Sequence, residues 1–310
     1  MGRIPGGEKA VTAFTPIDLS QLPAPDVVEA LDYEQIRAAL LADLVARWPD
    51  FDAAALESDP AVKLLEVAAY RELVLRARVN DAAKAVLLAH ATGADLDNLA
   101  ALLGVVRLVV QQADDTTNPK TPEILETDAR FRARIQLALE GFSTAGPTGA
   151  YVFWGLSASA LVKDIDATSP TPGVVVVTVL STQADGTPDQ ALLDTVNAQL
   201  NAEETRPLTD QVTVQGPSTL HSYNVTAELT LYPGPSAEAV RQAAEDAVAA
   251  LVTQHHALGH DIKQSALYAA LHQPGVQAVN LTEPAADLNV AFDEAAHCAA
   301  ITVTVGGTDE

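Results

Sequence analysis

Residues 57–107 read ESDPAVKLLEVAAYRELVLRARVNDAAKAVLLAHATGADLDNLAALLGVVR. Their reading decides the architecture. Ser58-Asp59-Pro60 is a helix start: Asp59 can accept from the free amides of a first turn, and Pro60 suits the first helical position. Nothing then breaks the pattern until Gly93, which predicts one helix over 60–92. Such a helix is roughly 50 Å long at ~1.5 Å per residue, far beyond the ~11–12 residues of an ordinary globular helix. Propensity stabilises so long a helix only weakly, so it needs lateral partners along its length. It reads as a strut or bundle member before it reads as a catalytic scaffold.

Upstream, residues 1–30 carry prolines at 5, 16, 23 and 25 and three glycines. They read as an extended arm that orders only against a partner. A first helix is predicted after Asp32, which has capping-box spacing with Gln35. Ile36, Leu40, Leu44 and Trp48 then recur every four residues as an apolar stripe that Pro49 stops. Downstream of the long helix, Gly93 is expected to end it. Asp95 should cap a short successor with Leu96, Leu99 and Leu103, closed by Gly104. Residues 111–122 read as a polar loop. Thr127 opens a helix through Phe131, Ile135 and Leu139, and FSTAGPTGAY (142–151) leads into a short apolar helix.

From residue 173 the pattern becomes strand–helix–strand. Val174–Leu180 is a β-branched run, predicted as a buried strand. Thr187-Pro188 caps a helix with Leu192, Leu193, Val196 and Leu200 on one face, and QVTVQ (211–215) alternates as a strand. After Gly216-Pro217-Ser218 a second pass begins. Val225, Ala227, Leu229 and Leu231 alternate, and a helix runs from Ser236 through Val240, Val248 and Leu251. Ser265–Leu271 is a short helix, and GVQAVNL and AITVTV are strands. The expected class is α+β: an arm and a long-helix segment, then small α/β modules with mixed sheets. The expected divisions are an arm at 1–30, a helical region at 31–118, a central α/β domain at 119–218 and a C-terminal α/β domain at 219–310.

Composition narrows the function. Apolar residues make up 48% of the chain and aromatics 5%, and no apolar run reaches the ~18 residues of a membrane span. The first residues lack the apolar core of a signal peptide. Net charge is −23, unevenly spread: residues 1–140 hold 22 acidic and 14 basic side chains, residues 141–310 hold 19 and 4. So acidic a surface repels phosphate backbones and disfavours direct nucleic-acid binding. It suits a cationic protein partner and simple solubility equally well. The single cysteine, Cys298, excludes an intramolecular disulfide and a thiolate metal cluster, and reads as a small packed residue beside the last strand.

Motifs for chemistry are sparse. There is no phosphate-binding glycine loop, nucleophile elbow or zinc-protease motif. His256 and His260 have the i,i+4 spacing of a metal pair, with His255 adjacent. Gly259 is expected to end that helix between them, so no metal or cofactor site is assigned. Lys163-Asp164-x-Asp166 and Asp114-Asp115 hold paired carboxylates, but so does almost any acidic loop. Arg130, Arg132 and Arg134 are spaced by two and do not share a helical face. A structural assembly protein fits these features better than an oligomeric enzyme with its site spread over loops.

Several segments together resemble the baseplate J family, wedge proteins of contractile-tailed phages and related tailocins. They are residues 58–105, FSTAGPTGAY, VKDIDATSPTPGVVVVTVL (162–180), RPLTDQVTV (206–214), LGHDIKQSALYAALHQPGVQAVNL (258–281) and ITVTVGG (301–307), with IDLSQLPAPDVVEALDYEQI (17–36) at the front. The resemblance spans nearly the whole chain. It implies a structural, non-enzymatic role without cofactors, in the virion tail baseplate, with assembly in the host cytoplasm. It implies that this chain joins a second copy and tail protein I in a wedge, by helices in a shared bundle. A small lysozyme-fold-like wedge protein would be a further contact, and residues 219–305 would join neighbouring wedges into a ring around the hub. No nucleic acid or membrane partner is implied. Candidate interface residues on the bundle helix are Leu65, Ala69, Leu73, Arg76 and Leu87.

Overall fold

A computed structural model describes residues 17, 19, 22, 23, 25, 29–51, 59–143, 146–234 and 236–309. Most of the arm expected over 1–30 lies outside the described residues. Among those described there are eight helices and three small sheets. The chain divides into two compact units. One holds the described residues up to Val106 together with Thr127–Ile135; the other holds Arg107–Glu126 and the chain from Gln136 onward.

In the first unit, α1 (Tyr33–Arg47) starts where the capping spacing predicts, the Asp32 carboxylate accepting from the Gln35 amide at 3.1 Å. α2 begins at Pro60, its first turn capped by the Asp59 carboxylate on the Ala61 amide at 2.7 Å. α1 packs along α2. Ile36 is buried from one side and Val62 and Ala69 from the other. Asn80, in the polar step of the helix, is also buried: its amide donates to the Glu29 carbonyl at 2.9 Å, and its oxygen accepts from the Glu29 amide at 3.1 Å. Both polar ends of Asn80 are therefore satisfied inside the packed face.

α2 spans Pro60–Ala85, not the expected 60–92, so it is 26 residues long, ~39 Å at ~1.5 Å per residue. A tertiary contact fixes the segment just beyond its end. Arg132, on α4 (Asp128–Gly141), donates from Nε to the Leu88 carbonyl at 2.6 Å and from Nη2 to the Ala91 carbonyl at 2.7 Å. These bonds hold the turn that follows the helix, in which the Leu87 carbonyl accepts from the amides of His90 and Ala91. Gly93 does not end a helix but opens α3 (Gly93–Ala101), whose N-cap is Thr92 rather than Asp95. Gly104 closes that helix as expected. It takes φ +70°, and amides 104 and 105 bond carbonyls 101 and 100, the crossed pair of a left-handed helix stop.

Replacing Arg132 by alanine is expected to cost ~1–3 kcal/mol, since two carbonyls lose a charged donor. Lysine should recover only part of this, because it offers a point charge rather than a planar fork. Denaturant unfolding of the two variants against the parent chain measures both.

In the second unit, β1 (Val109–Gln111) and β2 (Ile124–Leu125) pair antiparallel, so the predicted polar loop is the arm of a hairpin braced by an Asp114–Thr121 bridge. Buried Glu126 accepts from the Leu108 amide at 3.0 Å. The central module stacks α5 (Thr148–Ala158) and α6 (Gln190–Leu200) on a sheet of order β3-β4-β5. β4 (Val174–Ser181) is the predicted buried run. It pairs antiparallel with β3 (Val162–Thr171) and parallel with β5 (Gln211–Gln215), with α6 as the crossover. β3 was not expected, because its polar residues suggest a loop. α6 is capped by Asp189, on the Leu192 amide at 2.8 Å, rather than by Thr187-Pro188.

The C-terminal module has the order β7-β6-β8. β6 (Leu220–Leu231) is central, parallel to β8 (Ala295–Thr308) and antiparallel to β7 (Val276–Glu283). α7 (Ala237–His255) and α8 (Gln264–Leu271) cover one face. The alternating Val225, Ala227, Leu229 and Leu231 meet Val240, Ala244, Val248, Leu267 and Leu271 in one core. A smaller cluster of Leu180, Leu258 and Ala295 seals the central module against this one.

Candidate interface

α2 is apolar on both sides, and among the described residues only one side is covered. The covered side carries Val62, Leu65, Ala69, Leu73 and Asn80. The opposite side carries Leu64, Val67, Tyr70, Val74, Leu75 and Val79, all exposed; Leu64, Val67 and Leu75 keep 71%, 60% and 64% of their surface in solvent. These residues fall within one half of the helical wheel at 100° per residue. Isolated exposed apolar residues are ordinary, but a stripe along several turns is the mark of an association surface.

The five expected interface residues distribute unevenly. Ala69 is fully buried within the chain, and Leu65 and Leu73 are half-buried on the covered side. Arg76 is exposed, with Glu72 at 2.6 Å and Glu29 at 2.8 Å. Leu87 lies half-buried in the turn after α2. The area left for another chain is mostly on the Leu64–Val79 side. Sequence periodicity finds two stripes and cannot rank them. The buried Asn80 ranks them, and its partner is the backbone of a residue 51 positions away.

The three arginines of α4 diverge. Arg132 serves the two carbonyls described above. Arg134 is buried, 5.9 Å from the Phe131 ring centroid, with its guanidinium 3.3 Å from the Val106 carbonyl.

The carboxylates and histidines singled out by the sequence have structural partners. Asp164 accepts from the next amide in its strand, that of Ile165, and from the Leu258 amide at 2.8 Å. Asp114 accepts from Thr116, whose hydroxyl first and backbone amide second hold its carboxyl below the usual range. The His255 and His260 rings lie 4.8 Å apart, and His256 turns away to bond the Asp185 carbonyl at 3.1 Å. Among the described residues no three His, Cys, Asp or Glu side chains converge as a metal would require. Cys298 is half-buried on β8, its thiol pushed up in pKa by burial. Tyr151 donates to the Asp210 carboxylate at 2.6 Å; burial first, then that bond, raise its pKa and keep the phenol protonated. No helix among the described residues is long and apolar enough to cross a membrane.

Comparison with known proteins matches this layout in three pieces. The baseplate J-like N-terminal domain matches residues 57–114, the central domain 143–216 and the C-terminal domain 223–304. Baseplate protein J of Escherichia phage P2 is 48% identical over 300 residues, covering 95% of this chain and 99% of that protein.

The chain belongs to the baseplate J family. Baseplate J proteins are structural components of phage baseplates, a family without a catalytic role. The baseplate J N-terminal match covers α2 and its exposed stripe, and the central and C-terminal matches each cover one of the two sheet cores.

Proposed function

We propose that this chain is a baseplate wedge subunit in which the outward face of α2 packs against the helices of a second copy and of tail protein I. The observation that carries the reading is the exposed apolar stripe from Leu64 to Val79. Burying such side chains contributes about 25 cal/mol per Å2 of apolar surface, so a bundle partner is the natural sink for it. The C-terminal module, with its own core, joins neighbouring wedges into a ring around the hub. The acidic balance after residue 141 suits cationic surfaces on those neighbours. A small lysozyme-fold-like wedge protein is a further contact. The site of action is the tail baseplate of a contractile phage or tailocin, assembled in the host cytoplasm.

The test is co-expression with tail protein I and mass measurement of the product. The parent chain should give a complex holding more than one copy of itself. A triple variant, Leu64→Glu, Val67→Glu and Val74→Glu, changes only exposed positions and should leave the isolated chain's unfolding profile within about 0.5 kcal/mol per site. It should nevertheless remain a single chain in the mass measurement. A triple variant that still enters the complex at parental stoichiometry would place the bundle contact elsewhere.

A further inference from the structure

The central and C-terminal modules meet along a narrow seam. Its apolar part is small: Leu180 from β4 against Leu258 and Ala295, with Leu220 at the edge. Its polar part includes two hydrogen bonds. The Asp164 carboxylate on β3 accepts from the Leu258 amide at 2.8 Å. His256, at the C-terminal cap of α7, bonds the Asp185 carbonyl in the turn after β4 at 3.1 Å. A carbonyl only accepts, so the His256 Nε2 carries the hydrogen and Nδ1 is free of one. The ring lies against Gly186, which has φ +102°; a Cβ there would stand 2.6 Å from Nε2 and 2.7 Å from Leu180 Cδ1.

We propose that this seam is an acid-released hinge, in which protonation of His256 separates the C-terminal module from the central one while both stay folded. The charged and titratable groups around the ring set the direction. Lys163 on β3 and His297 on β8, whose ring centroid is 5.3 Å away, are both basic. Asp185 is the acid that offsets them, and the second carboxylate of the seam, Asp164, is engaged by the Leu258 amide. A proton on His256 therefore adds a cation to a half-buried basic pocket.

The sign follows from the same surroundings. Burial first, then Lys163 and His297, lower the His256 pKa from 6.5 to about 4. The closed seam binds this proton less readily than an open one. Its stability is complete above the ordinary histidine range and drains away as pH falls toward about 4.

Hydrogen exchange on the full chain between about pH 7 and about pH 4, corrected for intrinsic rates, reads the hinge at the Leu258 amide. Its protection should fall at least roughly tenfold, while core amides of Val179 and Val248 keep theirs, as a sub-global opening requires. His256→Gln preserves a donor to the Asp185 carbonyl without a titrating charge, and should move the opening to lower pH. Loss of core protection together with Leu258 would mean global unfolding and overturn the proposal. So would an opening midpoint unchanged in His256→Gln.

Discussion

A chain carrying Leu73→Pro is expected to lose α2 and, with it, assembly. Position 73 is mid-helix. Proline there removes one bond of the ladder and drives its ring into the preceding turn, at a cost of ~3 kcal/mol or more. Against a typical net stability of ~5–15 kcal/mol for a folded domain, that is a large share for a unit built mainly on one helix pair. The consequences should be local. The cores of the central and C-terminal modules lie in the other unit, around residues such as Val196 and Leu229. Amides of α2 should exchange rapidly while those of Val196 and Leu229 stay protected, and the variant should not be retained by tail protein I in pull-down. Normal retention would show that the bundle contact does not need a continuous α2.

The second large effect is expected at Leu229. It is fully buried on the central strand of the β7-β6-β8 sheet, with neighbours hydrogen-bonded on both sides. A central strand has little room to shift into a void, so Leu229→Ala should cost ~2–5 kcal/mol, the transfer term plus a cavity that cannot collapse. Glu228, next in the chain but on the exposed side, should change stability by less than about 0.5 kcal/mol when replaced by alanine. Equal losses at the two sites, in calorimetry or denaturant melts, would contradict the alternation that places one side chain in the core and its neighbour in water.

That alternation was fully legible in the chain. Val225, Ala227, Leu229 and Leu231 recur with the period of a strand, and the β-branched run from Val174 to Leu180, polar only at Thr178, has the character of a buried strand. The start of α1 at Asp32, the start of α2 at Asp59-Pro60 and the stop at Gly104 were equally readable. Each depends on a side chain and a backbone group only a few residues apart. The absence of a phosphate loop or nucleophile motif was readable for the same reason, since such motifs are local.

What the chain by itself determined is therefore the set of elements held by local chemistry: caps, periodicities, most of the strands and the class of fold. Tertiary structure alone decided three things. It shaped the turn after Ala85, where Arg132, more than forty residues downstream, holds the Leu88 and Ala91 carbonyls. It made β3 a strand, because the pairing of Ile165 with Val179 outweighs the weak propensity of an acidic segment. And it chose which apolar face of α2 is buried. Both faces have helical spacing, and the choice fell to Asn80, whose amide group is satisfied only against the Glu29 backbone. Energies that act across dozens of residues leave no periodic trace in sequence, and the exposed stripe from Leu64 to Val79 follows from one of them.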